Sequence, residues 1–119
     1  QPLLSPYLNK LGRLTDEAEK GKKLFYSSEV GCSRCHSGAF YTDTKQYNVG
    51  TAGVHDKPHQ LFDTPTLIEI WRTAPYLHDG SALTIYEMLT TRNPQNIHGN
   101  TKHLTEPEIR ALEAYVLSL

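Results

Sequence analysis

The chain has 119 residues, a formal net charge of −1, 38% hydrophobic residues and two cysteines. That length allows one domain, and a charge so near zero gives no electrostatic case for nucleic acid or an anionic membrane as partner. No apolar run approaches the roughly 20 residues of a membrane span, and so few apolar residues in a chain this short leave only a small core to hold it together.

Residues 1–14 read as an N-terminal arm or linker, because Pro2, Pro6 and Gly12 discourage regular structure. Gln1 to Pro6 carries neither the charged nor the apolar region of a secretory signal, and no initiator Met is present. This start reads as a mature chain or an excised domain, with the folded unit spanning residues 15–119. Thr15 is placed to cap a helix whose first turn holds Asp16 and Glu17, on the side the helix dipole favours for acids. Ala18, Gly21, Leu24 and Phe25 then share a face. Glycine within a helix costs about 1 kcal/mol relative to alanine, so Gly21 predicts close approach of a second helix.

Cys32-Ser33-Arg34-Cys35-His36 follows directly after Gly31. A Cys-x-x-Cys-His run is the attachment site of a c-type haem: two thiols become thioethers to the vinyl groups, and the adjacent imidazole is carried to the iron. The rival readings are a redox dithiol or half a zinc site. No second cysteine pair and no βαβ pattern accompany the motif, which disfavours both. One covalent haem c is therefore expected on Cys32 and Cys35, with His36 as proximal ligand.

Ser37 to Asp63 shows no helical period and is punctuated by Gly38, Gly50, Gly53 and Pro58. A loop this long in a compact domain is usually wrapped on something; Phe40, Tyr41 and Tyr47 are its candidates for haem-edge contact, or ordinary loop anchors. Thr64-Pro65 predicts a short helix ended by Pro75, with Leu67, Ile70 and Trp71 inward. Thr84 with Glu87, and Thr105 with Glu108, are capping-box pairs that open two further helices. The last of these aligns Ile109, Leu112, Val116 and Leu119, and tolerates Pro107 in its first turn. The expected fold is all-α: about four short helices, no strand, and long loops around one haem.

With these residues placed, Ala18 to Phe25 leading into Cys-x-x-Cys-His resembles the start of a class I cytochrome c domain. In that fold the first helix crosses the last, which implies that Gly21 and Phe25 meet the Tyr115 region. Cys35-His36-Ser37-Gly38, Tyr41-Thr42-Asp43, Asn48 to Thr51, Phe62 to Leu67 and Arg72 to Ser81 are similar, in order, to the C-terminal haem domain of the bacterial dihaem cytochrome c peroxidase and MauG-like family. Two departures stand beside this resemblance. Those enzymes use two haems, whereas one motif is present here. Their distal Met or Tyr aligns, without gaps, near Arg92, which is no haem ligand.

The distal ligand is therefore open to several residues. The Asn93 to Asn100 loop lies where class I cytochromes present their distal ligand, and the resemblance of its Asn-Pro…His-Gly run to related single-haem domains implies that role for His98. His78, in Pro75-Tyr76-Leu77-His78-Asp79-Gly80, is one alternative, although in relatives this histidine is structural. Met88 is the only thioether, but it lies on an apolar helical face where methionine is usually core. His55 and His59 fall in the glycine-rich loop, where solvated side chains or a paired metal site are the options, and His103 reads as exposed.

A saturated bis-His haem predicts single-electron transfer to a redox partner protein or an attached enzyme domain, in a periplasmic or extracellular setting where this haem is attached. Nothing in the sequence requires a catalytic acid or base. The alternatives are a haem peroxidase or oxidase like the dihaem relatives, and a tethered redox domain of a larger dehydrogenase.

Overall fold

The computed structural model describes all residues, 1–119. Its frame is two crossed helices, α1 (Asp16–Phe25) and α3 (Glu106–Leu117), with a short α2 (Ile85–Leu89) beside α3. Thr15 caps α1 as expected: it is extended, and its hydroxyl accepts from Ala18 N at 3.1 Å. Gly21 explains the crossing. A Cβ built on it would lie 1.8 Å from the carbonyl oxygen of Ala111, a backbone atom with nowhere to move. Beside this contact Phe25, Leu112 and Tyr115 are almost fully buried, and the Phe25 and Tyr115 rings meet edge to face at 5.3 Å, the geometry aromatic quadrupoles prefer.

α3 begins with the full capping box. Thr105 accepts from Glu108 N, and the Glu108 carboxylate accepts from Thr105 N at 2.9 Å. Thr105→Ala is expected to lower stability by about 1 kcal/mol, read as a shift in urea midpoint; an unmoved midpoint would mean the cap contributes nothing. The Thr84 box is only half made. Thr84 caps Glu87 N, but the Glu87 carboxylate accepts from Leu83 N instead of Thr84 N.

Two expectations are corrected. No helix starts at Thr64-Pro65; the segment makes only a 3-10 turn at Ile70–Arg72. Its capping groups are spent sideways. Thr64 N and Oγ1 both donate to Lys45 O at 3.0 Å, Thr64 O accepts from Thr42, and Thr66 Oγ1 donates to Phe40 O. Glu69, at φ 61°, then reverses the chain. Strands are present as well: β1 (Gln46–Tyr47) pairs antiparallel with β2 (Phe62–Asp63), Tyr47 opposite Phe62. At two residues each they are too short to leave an alternating pattern in the sequence.

The segment ahead of α1 is irregular but docked. Ser5 is buried and donates to Leu117 O, while Leu3 N donates to Glu69. No helix is long and apolar enough to cross a membrane. Only 18 of 119 residues are buried, too few for the side chains alone to make a substantial core.

Candidate haem site

The missing interior is a cavity of about 970 Å³ bounded by α1, α3, the loops and the end of α2. That is at the upper end of small-molecule sites, roughly 300–1,000 Å³. Cys32, Cys35, His36, His78, Met88 and His98, the residues singled out in the sequence, all line it. Most of the remaining wall is apolar, including Val30, Leu67, Ile85, Leu89 and Val116.

Gly31, left-handed at φ 81°, turns the chain out of the α1 region into a single 3-10 turn, Cys32–Arg34, and His36 N closes onto Cys32 O at 3.0 Å. This turn puts both thiols and the imidazole on one wall. Neither cysteine is in a disulfide. Burial pushes the Cys32 thiol up to about 12 and also raises Cys35, so both stay protonated at neutral pH. The His36 Nδ1–H donates to the Tyr41 carbonyl at 3.0 Å. A carbonyl can only accept, so the proton sits on Nδ1 and the Nε2 lone pair is left for a metal. Burial lowers the pKa of His36, opposed in part by the Tyr41 and Pro65 carbonyls, which keeps the ring neutral. The irregular 40s and 60s segments thus supply the groups that orient His36.

His98 lines the cavity from the loop before α3. Its pKa is pushed down to about 4, first by desolvation and then by repulsion from His36. The residue is partly exposed and lines the cavity. Its Nδ1 is buried without a hydrogen-bond partner, leaving Nε2 to the cavity. His78 is engaged otherwise: its Nε2 meets the Asp56 carboxylate at 2.7 Å, and its ring stacks on Phe62 at 3.9 Å. Met88 is half-buried against the core.

The other sequence candidates separate. Tyr47 and Phe62, paired across the two strands, line the cavity; Phe40 is 72% exposed and Tyr41 acts through its carbonyl and its hydroxyl, which meets Tyr115 at 2.9 Å. His55, His59 and His103 lie outside the cavity wall, and no group of three or more metal-binding side chains forms elsewhere. Arg92 sits at the surface against Glu87, outside the site its gapless alignment suggested. Leu77 and Val49, which the sequence offered only within motifs and without a role, also line the cavity.

A large, mainly apolar cavity with two thiols and two imidazoles on its wall fits a covalently held haem.

Comparison with known proteins points to a cytochrome c-like domain. The RoxA-like, cytochrome c-like family matches residues 62–98, the segment that ends on His98. The gamma subunit of hydrazine synthase from Kuenenia stuttgartiensis is 30% identical over 156 aligned positions, covering 97% of this chain and 44% of that one. The cytochrome-c peroxidase IdrP1 of Denitromonas iodatirespirans is 26% identical, over 89% and 41%. The chain thus spans less than half the length of these relatives. A solved hydrazine synthase structure from K. stuttgartiensis superposes with a TM-score of 0.88 at 29% identity, over all of this chain and 51% of that one. A MauG-like protein associated with microbial copper homeostasis superposes at 0.72 with 20% identity, over 90% and 44%, a likeness of fold. Motif order, cavity and relatives converge: the chain is a cytochrome c-like domain that resembles the haem domains of the dihaem cytochrome c peroxidase and MauG-like family.

Proposed function

We propose that this chain carries one haem c, attached through Cys32 and Cys35 and ligated by His36 and His98, and that it transfers single electrons. The observation that carries the reading is that both thiols and both imidazoles line one cavity. Cys32 and Cys35 would hold the haem as thioethers, each S–H adding across one vinyl double bond with no net oxidation or reduction. When bound, the haem supplies an iron that alternates between Fe(III) and Fe(II).

The residues do the rest. His36 is held in the required tautomer by the Tyr41 carbonyl. His98 is neutral well below pH 7 and offers its lone pair without first losing a proton. The apolar wall excludes water and lowers the dielectric, so little reorganisation accompanies a change of iron charge. His78, with its Nε2 on Asp56, is a structural neighbour. Attachment of this haem outside the cytoplasm implies a periplasmic or extracellular location. The share of the relatives' length covered, and the subunit named among them, support a domain or subunit that exchanges electrons within a larger assembly.

Low-temperature EPR with near-infrared magnetic circular dichroism on the ferric protein separates His/His from His/Met ligation. A bis-His signature that becomes high-spin in His98→Ala is the expected result. A spectrum unmoved by His98→Ala but altered by Met88→Leu or His78→Ala refutes the assignment.

A second reading, peroxidase or oxidase activity, is favoured by His78 on the cavity wall, backed by Asp56 as an acid–base couple, and by the peroxidase among the relatives. Turnover of peroxide with a reduced donor, lost in His78→Gln, would establish it; prompt reaction is not expected with both axial positions filled.

A further inference from the structure

His36 and His98 are restrained in different ways. The His36 ring is tethered by its own Nδ1–H. The His98 ring has no tether, because its Nδ1 is buried without a partner; only its backbone is held. Both backbone hydrogen bonds of His98 itself go to one side chain, while Asn96 Oδ1 holds the next turn by accepting from Thr101 N and Lys102 N. Asn93, 3% exposed, places the two N–H groups of Nδ2 among three oxygens, His98 O at 3.1 Å, Gly99 O at 2.9 Å and Thr101 Oγ1 at 3.1 Å, one N–H being shared, while its Oδ1 accepts from His98 N at 3.0 Å. Thr101, also buried, passes the restraint on by donating to Leu89 O at 2.8 Å, at the end of α2. On the far side Asn100 N donates to Val30 O at 2.8 Å, just ahead of the Cys-x-x-Cys-His turn.

We infer that Asn93 is the positioning residue that keeps His98 over the iron, so that the sixth coordination position is closed by an amide clamp on the loop and not by a bond to the ring. The inference rests on the axial roles proposed above. An asparagine is needed because this spot requires two donors and an acceptor on one short planar group. Aspartate has the same shape and no donors, and would face the His98, Gly99 and Thr101 oxygens with lone pairs. With its backbone loosened, an untethered imidazole leaves the metal readily, since support around a ligand is typically worth roughly 10- to 100-fold in its binding.

The test uses the haem-loaded chain. Asn93→Asp is expected to convert part of the ferric low-spin signal to high-spin and to raise the cyanide association rate at least about tenfold. Added imidazole should restore the low-spin spectrum, and amide exchange at His98 and Thr101 should quicken. Thr105→Ala, which weakens the fold elsewhere, should move none of these. If Asn93→Asp keeps the native spin state and cyanide rate while His98→Ala opens the site, the clamp is wrong and the ligand assignment stands. If His98→Ala itself leaves the coordination unchanged, both fall. Should the Asp variant not accumulate, Thr101→Val is read in its place by the same outcomes.

Discussion

Gly21→Ala is expected to cost about 3 kcal/mol, the upper end for overpacked sites, and to lower the melting temperature by roughly 10–20 °C for a domain near this size. The added methyl would stand 1.8 Å from Ala111 O, 2.5 Å from Ala111 C and 2.9 Å from Leu112 N. All three are backbone atoms of α3, so the clash is relieved only by parting the helices. Separation would open the seam where Phe25 packs on Tyr115. Helix propensity points the other way, favouring alanine by about 1 kcal/mol, and is outweighed. Gly12→Ala is the control. Gly12 has φ 72° and nothing within 4 Å of a built Cβ, so only backbone strain of about 1–2 kcal/mol is at stake. Thermal melts of the haem-loaded variants decide. A Gly21→Ala melt within 2 °C of the parent would show that the crossing does not depend on bare backbone contact.

The double substitution of Cys32 and Cys35 to serine should have the larger effect, namely loss of covalent haem and with it most of the fold. Haem staining of the denatured chain should disappear, whereas each single variant keeps one thioether and some stain. Without haem the cavity of about 970 Å³ leaves its apolar walls without packing partners, and emptied core volume is destabilising. Whole domains are stable by only about 5–15 kcal/mol. The chain without haem is therefore expected to lose its cooperative melt and much of its helical circular dichroism, because little else fills the interior. A double variant that stains after denaturation, or that melts cooperatively with no haem present, would overturn this.

Local chemistry was readable where neighbours in sequence are also the interacting groups. The caps at Thr15 and Thr105 each join residues three apart, and the Cys32–His36 turn is closed by its own backbone. Gly21 was readable by its cost: a residue that weakens a helix needs a reason, and here the reason is Ala111. The Thr64-Pro65 signal misled because capping is a competition. Thr64 is a sound N-cap, but Lys45, 19 residues away, takes its hydroxyl and amide. The Tyr47–Phe62 pairing was invisible for a related cause, since two-residue strands leave no period and their partner is supplied by the loop's closure.

The amino-acid order by itself determined the haem motif, the capped starts of the first and last helices, a close approach at Gly21 and the list of residues able to ligate iron, since these follow from spacing, capping and glycine placement along a few turns; that the two helices cross was implied by the resemblance to class I cytochromes c. The tertiary structure alone decided which of those ligands are free: His78 is occupied by Asp56 and Phe62, His36 is oriented by Tyr41, and His98 is held through Asn93 with its ring unpartnered. Whether a side chain has a lone pair to give depends on what lies against it, and those neighbours come from segments brought together only by folding.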